Sequence, residues 1–103
     1  MEQLNGTQRS GRLVVAAIYD SKVGCYFQPF FARSRAEAAR SFGDAVNDPN
    51  HIFGKHAADF TLFVVAEWSE DTGKFESLDA PDNLGSGHEH QIAGPVDGQQ
   101  TLV

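Results

Sequence analysis

Cysteine is almost missing from this chain. Cys25 is the only one, so no internal disulfide and no multi-cysteine zinc site can form. With no base or second thiol beside it in sequence, Cys25 reads as a small packed strand residue, which suits a reducing compartment. Long apolar runs are lacking too. The longest, Leu13 to Ile18, falls well short of a bilayer span, so no membrane association is expected. Met1 to Arg12 lacks the basic start, apolar centre and small-residue cleavage site of a secretory signal. Catalytic motifs are absent as well: there is no G-x-S-x-G, no phosphate-binding glycine loop opening a helix, and no H-E-x-x-H. These absences predict a non-enzymatic protein without a cofactor.

What remains is an acidic chain of 103 residues, net charge -6, with eight Phe. That length allows one domain with a small core. The charge is unevenly spread. Arg9, Arg12, Lys22, Arg33, Arg35, Arg40 and Lys55 all precede His56, whereas Lys74 is the only Lys or Arg after it. An anion could meet the first half; the second would repel it.

Arg12–Asp20 (RLVVAAIYD) has the β-branched and aromatic content of a strand, and Cys25–Ala32 reads as an edge or bulged strand because Pro29 cannot donate to a ladder. Ser34 and Glu37 have capping-box spacing, in which Ser34 accepts from the Glu37 amide and Glu37 accepts from that of Ser34. This predicts a helix of about 15 residues carrying Ala36, Ala38, Ala39, Phe42, Ala45 and Val46 as its apolar stripe, stopped at Asn47-Asp48-Pro49. Asn50–Asp59 reads as a polar loop with Ile52 and Phe53 tucked beneath it. Phe60–Trp68 (FTLFVVAEW) is the clearest strand, and Ser69–Gly73 turns it into a shorter strand, Lys74–Leu78.

The expected fold is α+β: about four mostly antiparallel strands in the order strand-strand-helix-strand-strand, with one helix on one face. Residues 12–79 form the domain, 1–11 a flexible extension, and 80–103 a flexible acidic tail marked by Pro and Gly. The long strands are apolar on both sides, and one helix covers only one. A homodimer or another partner is expected on the second face.

Tyr26, Phe27, Phe30, Phe31, Arg33, Arg35 and Arg40 have the chemistry for single-stranded nucleic acid: rings stack on bases and guanidinium groups meet phosphates. The competing view makes the rings core and the arginines a solvated helix face. On composition alone the second view is favoured, because an acidic protein is repelled by a polyanion. His51, His56, His88 and His90 have no metal-site spacing, and no metal is expected.

Several segments nevertheless occur together in a distinctive order: Tyr19-Asp20-Ser21-Lys22, Gln28-Pro29-Phe30-Phe31-Ala32-Arg33, Phe42 with Asp44-Ala45-Val46-Asn47-Asp48-Pro49, Lys55-His56, and Asp59-Phe60-Thr61-Leu62-Phe63. Across about Leu13 to Leu84 the chain resembles the small nonstructural protein of microviruses, tailless single-stranded DNA phages, of the gokushovirus branch. The resemblance implies host cytoplasm and a role in viral genome synthesis and packaging, through single-stranded DNA or the replication complex on it. It supplies no site residues. From the chain's own residues, Lys22, Arg33, Arg35, Arg40 and Lys55 are expected to contact phosphates, and Tyr26 and Phe30 to stack on bases. The alternative is a dimeric interaction module acting on the replication initiator, a host replication protein or capsid precursors, without touching DNA.

Overall fold

Alternating side chains and β-branched residues make the two longest apolar segments the centre of the sheet. The computed structural model describes residues 11–92. Strand β1 (Arg12–Asp20) is followed by the short strands β2 (Cys25–Tyr26) and β3 (Phe30–Ala32), then helix α1 (Arg35–Val46). Next come the single-turn helix α2 (Ile52–Lys55), a 3₁₀ turn (Ala57–Asp59), strands β4 (Phe60–Ser69) and β5 (Phe75–Ser86), and a further single turn, α3 (Gly87–His90). The sheet order is β2-β1-β4-β5, with β3 also on β1, and every pairing is antiparallel. The α+β fold expected from the sequence is the one observed.

Cys25–Ala32, expected as one strand, is two. Pro29 lies in the break, and both pieces pair with the same side of β1. Cys25 sits in β2 but is exposed, contrary to its expected packing.

The core lies between the sheet and the helices. Val14, Ala16 and Ile18 of β1 meet Phe60, Leu62 and Val64 of β4, and Ala38, Phe42 and Val46 close over them at the four-residue spacing of one helix face. Ser34 caps α1 by accepting from the Glu37 amide at 3.0 Å. The returning Glu37 carboxylate accepts from the Arg33 amide at 2.7 Å, one residue earlier than a capping box requires. The helix has 12 residues and ends at Asn47, as the Asn-Asp-Pro signal predicts. In the segment expected as a loop, α2 directs Phe53 onto Phe60 and Phe42, with ring centroids 4.6 and 5.9 Å apart. Ile52 does not share that anchoring role; it is 54% exposed.

The largest correction concerns the expected tail. Strand β5 continues through Ser86, and α3 follows, so the ordered domain extends past residue 79; residues 93–103 lie outside the described residues, as do 1–10 of the expected extension. Pairing with β4 lapses between Ser77 and Asp82, and Pro81 sits in that unpaired excursion, where its missing amide costs no ladder bond. Leu78 and Leu84 pack against the core. Ser86 and Glu89 complete a capping box for α3, with bonds of 3.2 and 2.8 Å. His90 reaches the Leu84 carbonyl at 2.8 Å and lies edge-on to Phe42, while Asn47 Nδ2 donates to the His90 carbonyl at 3.0 Å. Gly87 allows close approach: a Cβ there would stand 2.5 Å from the Ala57 carbonyl oxygen. Ending the chain at Asp79 should therefore destabilise the domain by at least about 2 kcal/mol, the low end for losing one core leucine. Urea unfolding checks this; an unchanged midpoint would show that 80–92 does not support the fold.

Candidate nucleic-acid interface

A bulge decides what the far side of the sheet displays. Opposite the neighbours Val15 and Ala16 of β1 stand Ala66 and Val64 of β4, leaving Val65 as an extra residue. Without it, strict alternation would put Trp68 on the helix side with Leu62 and Val64. The bulge shifts the parity and re-aims Trp68 to the opposite face, where it pairs with Leu13 and Phe75.

Register then fixes the composition of that face. It carries Leu13, Val15, Ala17 and Tyr19 from β1, Thr61, Phe63, Ala66 and Trp68 from β4, Tyr26 and Phe31 from the short strands, and Phe75, Ser77 and Asn83 from β5. None of these is charged. Of the five acids in the sheet, Asp20, Glu67, Glu76 and Asp82 register with residues of the helix side, and Asp79 falls in the stretch of β5 that has no partner. The paired residues of the sheet therefore place no carboxylate on this face.

The rings form two groups. Phe31, Trp68 and Phe75 have centroids 5.4 to 6.3 Å apart. Tyr26 stands edge-on to Tyr19 and Phe63 at 5.0 and 5.7 Å. Val15, Ala17 and Ala66 are buried although the described helices pack on the other face, because the bulky rings beside them shield a floor of small residues. From Val15 to Tyr19 the floor runs about 13 Å at normal strand rise. Phe75, Phe31 and Tyr26 are 58, 51 and 45% exposed, so their π-faces are open to a ligand.

The residues singled out from sequence are distributed unevenly. Tyr26 lies on the open face. Lys22 is in the turn beside the Tyr19–Tyr26 pair, and Arg33 directly follows β3 and lines a hollow with Leu13, Phe31, Glu37 and Glu70. These two cations thus mark opposite ends of the aromatic floor. Phe30 is corrected as a stacking residue: it registers with Ala16 and packs against the core, so the outward ring of β3 is Phe31. Arg35 does not face this surface either, since its Nε binds Asp82 at 2.8 Å on the helix side. Arg40 is exposed on α1, and Lys55 lies on α2 in a cleft that Lys22 also lines. Sequence reading missed Phe63, Trp68 and Phe75 as members of the face. Only the strand character of their segments signalled them.

Arg12 adds nothing to the face. Its guanidinium donates to Glu67 at 2.6 Å and to Glu76 at 2.7 Å, and these hydrogen bonds, Glu67 first, raise its pKa further above the ordinary arginine value. Among the described residues no group of three or more His, Cys, Asp or Glu is arranged to hold a metal, and no helix is long and apolar enough to cross a membrane.

No curated protein and no solved structure significantly matches the chain. Residues 13–90 match a family described as phage ORF5 protein, a span that begins in β1 and ends with α3. It takes in both ring clusters and the C-terminal turn. The chain belongs to the phage ORF5 protein family.

Proposed function

We propose that this phage protein is a non-enzymatic accessory factor that binds single-stranded DNA across the aromatic sheet face, in the host cytoplasm, during genome synthesis and packaging in a microvirus of the gokushovirus type. The observation that carries the reading is an uncharged, ring-bearing face on an otherwise acidic protein. Phe31, Phe75 and Tyr26 are exposed rings on which bases can stack whatever their sequence, and Arg33 and Lys22 stand at the two ends to meet phosphates. With Asp20, Glu67, Glu76 and Asp82 registered to the helix side, a polyanion meets no carboxylate among the paired residues of this face. A duplex hides its base faces and gains little from this surface, so preference for single strands follows. The test is binding to single-stranded against duplex DNA, with the Phe31 and Phe75 substitutions considered below.

One observation favours a second reading. A contiguous uncharged aromatic face also suits a protein partner, either a second copy in a homodimer or a replication protein, and a partner would not need the cations that this face largely lacks. Sedimentation separates the two. A dimer that Phe31→Ala disperses, together with no affinity for single strands, replaces the DNA reading with this one.

A further inference from the structure

An open cleft of about 750 Å³ lies beside the β1–β2 turn and shares Lys22 with the site proposed above. Its walls come from that turn, α2, the 3₁₀ turn and α3, segments far apart in sequence that bring together Lys22, Lys55, His56 and His88. The walls are fixed by backbone contact. Gly54 lies against the Asp48 carbonyl, Gly87 against Ala57, and the Ser21 amide donates to the Asp59 carbonyl at 2.9 Å. Two acids also line the cleft, Asp20 and Asp59. Asp20 is partly engaged, its Oδ1 accepting from the Lys22 amide at 2.9 Å. Two ammonium groups and two imidazoles then face two carboxylates. Among the described residues the histidines do not form a metal cluster with these acids, and beside two lysines their ring N–H groups are donors suited to an anion.

We propose that this cleft binds a phosphate group, with Lys55 and Lys22 as cations and the ring N–H groups of His56 and His88 as donors. The proposal is independent of base stacking on the sheet face. The ligand is phosphate chemistry from either of two sources, free phosphate or the diester of a DNA backbone, and each is a probe. Inorganic phosphate and an abasic deoxyribose-phosphate oligomer, which has no bases to stack, are titrated into the full chain while the imidazole NMR signals are followed. The expected result is saturable movement of the His56 and His88 signals. Lys55→Ala should weaken binding about tenfold, the scale of one charge-assisted hydrogen bond, and Phe31→Ala should leave it unchanged. Response to phosphate alone identifies a free-phosphate site, and response to the oligomer identifies a backbone site. Unmoved His56 and His88 signals with both probes overturn the proposal, as does equal binding by the Lys55→Ala protein. Loss of stacking with this site intact, or the reverse, shows which of the two readings fails.

Discussion

Replacing Phe31 and Phe75 together by alanine should weaken binding to an oligothymidine strand by at least roughly 30-fold, taking about 1 kcal/mol as the lower value for each stacked ring. Both rings are more than half exposed, so their loss removes little core. They do pack on Trp68, and a small drop in the unfolding midpoint is expected. Phe30→Ala is the matched control. One residue away but packed against the core, it should lower stability and leave the affinity of the folded fraction unchanged. Fluorescence polarisation for binding and urea unfolding for stability separate the two effects. Equal loss of DNA affinity in both variants would mean that the open face is not the site.

Phe42→Ala should have the largest effect on folding. Phe42 is 2% exposed, touches Phe53 and His90 through ring edges, and joins α1 to both α2 and α3. Deleting a buried phenyl group costs about 3–5 kcal/mol. A small domain has roughly 5 kcal/mol in total to lose. The expected outcome is a protein that is largely unfolded at 37 °C and has lost the far-ultraviolet signal of its helices. A folded variant with a midpoint close to the parent would show that the three helices do not depend on this ring.

The central strands, α1 with its Ser34 cap and its stop at Asn47, and the β4–β5 hairpin with a positive-φ Gly73 were legible because each rests on local signals: β-branched runs, cap spacing and turn residues. The second half of β5 was not. Asp79, Pro81, Asn83 and Gly85 argue against a strand locally, and the segment is held by the pairing of Asp82, Asn83, Gly85 and Ser86 with β4 and by the packing of Leu78 and Leu84 on the core. A signal was available: Ser86 and Glu89 have the same capping spacing as Ser34 and Glu37, yet Gly85 and Gly87 read as flexibility where they serve close approach.

The site was less legible than the fold. Basic and aromatic residues near the helix entrance were recognisable as types, but which ring faces outward depends on register. Phe30 and Phe31 exchange roles through a one-residue step, and the bulge at Val65 turns Trp68 to the face that alternation alone would deny it. The ion pair of Arg35 with Asp82 joins residues 47 positions apart and has no local signature.

The most direct test of the central claim is a polarisation titration of the full chain with a labelled oligothymidine strand and with a duplex of equal length, at two salt concentrations. Stacking on the open face, with Lys22 and Arg33 as that face's own phosphate contacts, predicts clear preference for the single strand. It also predicts a shallow salt response, log K against log salt near -1.4 for two contacts at about -0.7 each. No binding to the single strand at about 50 mM salt, or equal affinity for the duplex, would contradict the account.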